Sequence, residues 1–504
     1  MKVDNKKSFL VYTFILVASL VFLNLISRNI FKRFDLTDTQ MYSLSSSSQS
    51  VISKIDDLMT IKVYFSNDLP GNYANNRRYL QDILEEYIAY SKGNLRFEFI
   101  DPSSDEDMQL AAQQAGIQPV QLQVIENDKV EVKRVYMGLS ILYQDNSEII
   151  PVIQNTSGLE YSITTKIKKL VNTDKQIIAI ASSSLQAPQN ELVAPILRER
   201  YDLQTIKLEN NIDPSISALL INGLEDSLSI DEYQNLKNYI DNGGNLLIGQ
   251  SRISVDIQTQ QAKPIESNIF SLLEQYGINI KENLVLDKSC GQVNVQQNMG
   301  IFRMAVPMDY PLIPIIKNFN KNEVIVSGIE RHQVLFPSEI TIDSLVSSNT
   351  VLFPLLLSSD RSSTMSGPYN LNPDSKANPY FSLLNESGKI VAVRSEINDP
   401  NNDLRSNIIL ISDSKFISDD GSGGVTENHI FLLNSIDYLL GDQELISLRS
   451  REITNRPLQE LENDTKSRWK WINMIVPSII ILSFGFLRFR REKNRSKQLQ
   501  DIYA

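Results

Sequence analysis

Few residues in this 504-residue chain can carry chemistry: it holds one cysteine, Cys290, and two histidines, His332 and His429. A single cysteine excludes an intrachain disulfide and any multi-cysteine zinc or iron–sulfur site, and two histidines are too few for a His-based metal cage. Cys290 lies between Ser289 and Gly291, with Lys288 as its only close cation. A reactive thiolate needs electropositive surroundings, so this pattern reads as inert burial. The other candidates stand at the ends of predicted strands, where a parallel α/β sheet places its ligands. Gly249-Gln250-Ser251-Arg252-Ile253 follows one such strand, but a nucleophile elbow needs a second glycine to permit its strained turn, so Ser251 reads as a strand terminus. Asp413 ends another strand, with Ser414, Asp419, Asp420 and the run Gly421-Ser422-Gly423-Gly424 close behind. Carboxylates there could ligate a cation, yet the spacing is not that of a calcium loop, and Asp, Ser and Gly ordinarily cap turns. The glycine run lacks the Lys-Ser/Thr of a P-loop, which leaves nucleotide binding unsupported. His429 falls in the first turn of a final helix and should be exposed, while His332 follows Arg331 in a strand-rich stretch. Nothing in the spacing draws either into a triad. The sequence therefore assigns no catalytic, cofactor-binding or metal-ligating residue and implies no cofactor.

Two sets of elements have to position these residues. From 35 to 174 the order is strand (61–66), helix (to Gly93), strand (95–100), helix (about 105–115), further strands, then a helix carrying Ile163, Ile167 and Leu170. That order, with Pro119 just before VQLQVI as third strand, resembles a thioredoxin-like fold. A redox enzyme of that fold needs a cysteine after the first strand, and Ser66-Asn67-Asp68-Leu69 stands there instead. From 175 to 448, apolar runs (IIAIA, ISALLI, NLLIG) alternate with helical segments, which predicts a mostly parallel sheet. Ser229 and Glu232 have capping-box spacing, and Gly243-Gly244 should end that helix. Residues of about 290 to 385, strand-rich and interrupted by prolines, read as an insertion, after which the sheet resumes at KIVAVRSE and NIILISDS.

Composition is ordinary for a globular protein, with 42% hydrophobic and 22% charged residues and a net charge of −11. An acidic total disfavours nucleic acid as a partner. The charge is unevenly placed. Residues 1–34 carry six basic side chains against Asp4, or +5; residues 466–504 carry nine against Glu492 and Asp501, or +7; the remaining 34 basic and 57 acidic residues leave −23 for the body. Each basic end brackets an apolar run. Residues 9–26 are uncharged and long enough, at about 1.5 Å per residue, to cross a hydrocarbon core, and no small-residue cleavage site follows. Residues 471–487 form the second expected span, with Trp469 and Trp471 at one border and Arg488, Arg490, Arg491, Lys493, Arg495 and Lys497 after the other. That cluster should hold the C-terminus inside. The expected layout is thus a cytoplasmic tail and anchor (1–34), two outward α/β domains (35–174 and 175–448), a juxtamembrane linker (449–470), the second span, and a basic cytoplasmic tail (488–504), in the inner membrane of a bacterium.

Several short strings, in order, resemble one family. They are Phe34-Asp35-Leu36-Thr37 after the anchor, Met41-Tyr42-Ser43-Leu44-Ser45, Phe99-Ile100-Asp101-Pro102, and the helix-Gly243-Gly244-strand unit. Ile411-Ser412-Asp413-Ser414-Lys415-Phe416 and Asn434-Ser435-Ile436-Asp437-Tyr438-Leu439 come next, then Arg449-Ser450-Arg451-Glu452 and Arg456-Pro457-Leu458 before the last span. The resemblance is to the auxiliary membrane subunit of the gliding-motility ABC transporter, the GldG type of Bacteroidetes. It implies a non-enzymatic partner of an ATPase subunit and a multi-span permease, held by inner-membrane lipid and open to envelope or secretion components. It also implies that the second domain is similar to a class I glutamine amidotransferase (flavodoxin-like) domain without its chemistry, Ser251 standing near the place of the nucleophilic cysteine. A periplasmic adaptor is the main expectation. The alternatives are a membrane-tethered solute receptor for the permease and an envelope scaffold or envelope-acting enzyme.

Overall fold

The computed structural model describes residues 13–20, 22, 43–69, 71–126, 129–156, 158–171, 175–183, 190–299, 302–342, 350–399, 404–452 and 463–503. Of the first expected span, residues 13–20 and 22 are helical, with Phe14, Ile15, Leu16, Val17, Leu20 and Phe22 exposed; the rest of 9–26 lies outside the described residues. The chain divides into two units, Met1–Ile453 and Thr454–Ala504.

In the first unit, Met59–Phe65 is the apolar centre of a four-stranded sheet. It pairs in parallel with Leu95–Ile100 and antiparallel with Met137–Tyr143, which pairs antiparallel with Asn146–Ile150. Ile61, Val63 and Phe65 are fully buried. Against them pack Leu80, Leu84 and Tyr87, spaced along one face of helix Gly71–Tyr90, and Ile163, Ile167 and Leu170 of helix Leu159–Val171. Helix Ser46–Ser53 closes this core with Val51 and Ile52, and Ser45 caps it by accepting from Ser48 N at 3.1 Å. The expectation for Pro119 is corrected. Its strand, Val120–Glu126, forms a separate hairpin with Lys129–Val135, and Tyr136 precedes the strand that enters the sheet, Met137–Tyr143. VQLQVI alternates polar and apolar residues and suits a two-sided ribbon, whereas MGLSILY is buried almost throughout, as a central strand requires.

A ten-stranded sheet follows. Its parallel strands lie in the spatial order Asp202–Lys207, Ile177–Ser182, Ala218–Asn222, Asn245–Gly249, Leu404–Ile411, which is the chain order 2-1-3-4-5. Continuous apolar runs form these strands because both faces are buried, one in each of two large cores. Ile390–Asp399 continues the sheet antiparallel to Leu404–Ile411 and also pairs with Thr350–Leu357 and Ile340–Ile342, so strands from the 290–385 stretch join this sheet. The rest of that stretch includes a long hairpin, Cys290–Met299 with Phe302–Ile316, over a smaller core holding Tyr310, Phe336 and Leu286. Helix Ile230–Asp241 opens with the full Ser229–Glu232 capping box, and Gly243, at φ +89°, takes the left-handed conformation that ends it.

Helix Asn428–Leu439 is followed after a short turn by helix Gln443–Glu452, so part of the expected 449–470 linker is ordered helix. The second unit contains helix Asn463–Tyr503. Within it, Thr465–Asn494 is 30 residues long with mean hydropathy 1.8 over its most apolar window, exposed throughout that window, and long and apolar enough to cross a membrane.

His332 is fully buried between Phe416 and Phe431, with ring centroids 6.0 and 5.0 Å away, and neither ring nitrogen has a hydrogen-bond partner among the described residues. Burial pushes its pKa down to about 3. The unfolded chain, with an ordinary value near 6.5, takes up the proton first, so stability is full above that value and falls as pH drops toward 3, by at most about 1.4 kcal/mol per unit. Thermal unfolding from pH 7 to 4.5 should therefore show a smaller acid-induced loss in His332→Leu than in the wild type; parallel profiles would exclude this role.

Candidate functional site

The carboxyl ends of the parallel strands, where an open α/β sheet offers its ligand crevice, are occupied largely by the chain itself. Gln250 Oε1 accepts from Leu224 N at 2.7 Å, and Nε2 donates to Ser251 O at 2.9 Å. Ser251 is buried; its hydroxyl donates to Ile253 O at 3.0 Å and its N–H donates to Ser414 Oγ at 2.9 Å. A hydroxyl committed to a carbonyl has no base to activate it. Asp413 is buried as well. Its Oδ2 accepts from Leu335 N at 3.0 Å and from the Ser422 hydroxyl, and Oδ1 accepts from Lys415 N at 2.9 Å. Burial raises its pKa to about 6 against the pull of those donors. A Cβ on Gly249 would lie 2.6 Å from Asp413 O, so only glycine lets this turn close on the strand.

The same groups fasten the segment around 332–339 over the strand ends. Ser338 N donates to Ser412 Oγ at 2.7 Å, Arg252 N donates to Ser338 Oγ at 3.0 Å, and the Asn428 amide brackets the Gln333 backbone at 3.0 and 2.8 Å. Asp419 accepts from the N–H groups of Glu191 and Leu192 at 2.8 and 2.9 Å, while Asp420 pairs with Lys415 at 2.5 Å. His429, partly buried rather than exposed, has Nε2 2.9 Å from Gly423 O. Among the described residues no hydrogen bond links either histidine to Ser251 or Asp413, and no group of three or more potential metal ligands converges. Cys290 is half-buried, and burial together with nearby Asp309 pushes its thiol pKa up. In the first sheet, Ser66 Oγ lies 2.6 Å from Ser103 Oγ and accepts from Tyr136 N at 2.9 Å, while Asp101 Oδ2 accepts from Asn67 N at 3.0 Å. The tip where a redox cysteine would stand is thus tied down by hydroxyls and a carboxylate.

The residues that sequence reasoning missed lie where the two sheets' helical layers meet. Arg449 donates to Asp437 Oδ2 at 2.5 Å, to the Tyr161 hydroxyl at 2.9 Å and to Asn434 Oδ1, while the Tyr201 hydroxyl donates to Asp437 Oδ1 at 2.5 Å. Burial disfavours the guanidinium charge, but Asp437 and Tyr161 hold its pKa above the ordinary value; burial and then Asp437 raise that of Tyr201. Around this pair runs a belt of ions: Lys168 with Asp442, Lys166 with Glu148 and Glu199 at 3.1 Å each, and Lys169 with Glu148. The belt borders a cleft of about 560 Å³ with Leu440 and Leu445 in its wall.

Together these features define an α/β body, its strand ends closed by its own side chains, in one chain with a helix able to cross a membrane. Residues 174–440 match the family described as an ABC-type uncharacterized transport system, auxiliary component, and the chain belongs to that family. Membership implies association with the components of an ABC transporter and, with the long apolar helix, places the chain at a membrane. Residues 38–142 match a domain family of unknown function. An uncharacterised protein of Borreliella burgdorferi is 26% identical over 499 residues, covering 94% of this chain and 96% of its own length. Among solved structures, the mmIFT52 N-terminal domain is similar over 52% of this chain and 97% of its own, at 13% identity and TM-score 0.34. A putative ThuA-like protein from Parabacteroides merdae is similar over 57% and 94%, at 11% identity and TM-score 0.26.

Replacing Arg449 with Met leaves Asp437 buried without its counter-charge and should lower the unfolding free energy by roughly 3–5 kcal/mol. Combining it with Asp437→Leu and Tyr201→Phe removes the stranded carboxylate and the hydroxyl bonded to it, and should recover a large part of that loss. Urea unfolding of the full chain in detergent reads both, and a triple variant no better than Arg449→Met would refute the assignment.

Proposed function

We propose that the chain is a non-enzymatic auxiliary subunit of an ABC transporter that serves as an adaptor. Its folded body lies on the periplasmic face of the inner membrane and couples an ATPase subunit and a multi-span permease to an envelope substrate or machine. The observation that carries this reading is the closure of the strand ends. In a member of an auxiliary transport family, Ser251 and Asp413 spend their side-chain oxygens on the chain's own groups. Such a sheet offers its surface rather than an active centre. The 2-1-3-4-5 strand order is the one a flavodoxin-like or amidotransferase-like domain uses, and the parallel-then-antiparallel order of the first sheet suits a thioredoxin-like domain. The charge split of +5, −23 and +7 supports two spans with both termini in the cytoplasm, and the order of the short strings supports the gliding-motility type.

Solubilised in mild detergent, the full chain should co-purify with an ATPase subunit and a permease; recovery without either would sink the adaptor reading. Topology has its own check. In a Cys290→Ser background, an impermeant thiol reagent should label Asp374→Cys in cells whose outer membrane alone is permeabilised, and Lys493→Cys only after lysis. The reverse pattern would invert the assignment.

A further inference from the structure

We propose that the cleft between the two α/β layers binds a phosphate-bearing anion. Five cationic side chains from separate parts of the chain converge on it: Lys54, Lys168, Lys169, Lys175 and Arg200. Its three carboxylates are already engaged, Glu199 with Lys166, Asp437 with Arg449, and Asp442 with Lys168. Lys169 is matched by Glu148. Three cations remain with no carboxylate partner among the described residues. Lys54 follows helix Ser46–Ser53 and is exposed; Lys175, also exposed, donates to the Arg198 carbonyl at 3.3 Å; Arg200 lies over the Tyr161 ring, 5.4 Å from its centroid.

Counting these groups and their partners gives seven cations against four carboxylates, in a body whose overall balance is −23. A local excess of this sign, held against a strongly acidic background, is electrostatic work that a surface without a ligand does not require. Thr165 Oγ1 and Arg200 Nη1, which belong to two residues of the wall, are buried with no hydrogen-bond partner among the described residues. Ammonium groups that approach from several directions act as point charges and suit a multiply charged phosphate better than a single carboxylate. The volume of about 560 Å³ exceeds what inorganic phosphate fills, and the apolar wall of Leu440 and Leu445 fits a ligand with a carbon portion attached to the phosphate. A soluble phosphoester or phosphoanhydride and a phospholipid headgroup share this chemistry.

The test follows thermal unfolding of the full chain in dodecyl maltoside at matched ionic strength. One arm adds inorganic pyrophosphate; the other adds dihexanoyl phosphatidylglycerol, with dihexanoyl phosphatidylcholine as its control. Wild type should be stabilised in at least one arm, and the double variant Lys54→Glu with Lys175→Glu should need about tenfold more ligand or fail to respond. A response to pyrophosphate alone assigns a soluble phosphate ligand, and a response to phosphatidylglycerol over phosphatidylcholine assigns a lipid headgroup. Absence of any shift in both arms, or equal shifts in wild type and variant, overturns the site. Both lysines are exposed and make no ion pair among the described residues, so the unliganded variant should unfold near the wild-type temperature. Should it not, Arg200→Gln gives the same readout.

Discussion

A buried guanidinium governs how the folded body is held together. Arg449 is taken out of water, and that cost is tolerable only where every donor finds an acceptor and the charge finds its opposite. The requirement recruits helix Asn428–Leu439 through Asp437 and Asn434, the first layer through Tyr161, and the loop before strand Asp202–Lys207 through Tyr201. One side chain thereby makes the placement of helix Gln443–Glu452 depend on both sheets. A second buried arginine acts within the large sheet. Arg394 grips Glu323 with two bonds of 3.0 and 3.1 Å, reaches Glu396 at 3.1 Å, and lies 4.0 Å from the Phe353 ring centroid. Each arginine is faced by an aromatic ring as well as by carboxylate, so flat apolar surface and charge are satisfied together.

Much of the architecture could be read from local pattern, because local pattern was what determined it. The runs IIAIA, ALLIN and NLLIG are apolar on both faces, and a strand covered on both sides has no other composition. The Ser229–Glu232 box and Gly243 punctuate their helix as their chemistry dictates. Long-range pairing was less legible. KIVAVRSE and NIILISDS read alike as strands, yet one runs antiparallel to its neighbour, and only the short 400–403 connection between them hints at that direction. The pairing of Val120–Glu126 with Lys129–Val135, outside the first sheet, is not legible because alternation identifies a strand without naming its partner. Arg449-Ser450-Arg451-Glu452 reads as linker because it is polar, although Arg449 bonds to residues 12 and 288 positions away. The cleft was invisible for the same reason: lysines 54, 168, 169 and 175 and Arg200 share no spacing, and only the fold assembles them.

The strand ends show how a familiar ligand position can be turned to structural use. Asp413 carries a raised pKa, a property shared by many functional carboxylates, yet its oxygens receive two backbone N–H groups and a serine hydroxyl. Those bonds reach back to Leu335 and forward to Ser422, so a residue that resembles a ligand acts as a latch for the 332–339 segment. Ser412 and Ser338 repeat the device one position along. The sequence features that invite a catalytic reading are the ones the fold uses to close its own crevice.

The strand order carries a consequence for how this chain is made. Asn245–Gly249 pairs on one side with Ala218–Asn222, which is synthesised just before it, and on the other with Leu404–Ile411, from which the whole stretch 250–403 separates it. During synthesis the fourth strand therefore has an open apolar edge until the fifth has emerged, and non-local pairings of this kind close slowly. The nascent chain must be shielded at that edge by its own following hairpins or by a chaperone, and a pause in translation before residue 404 would expose a template for aggregation.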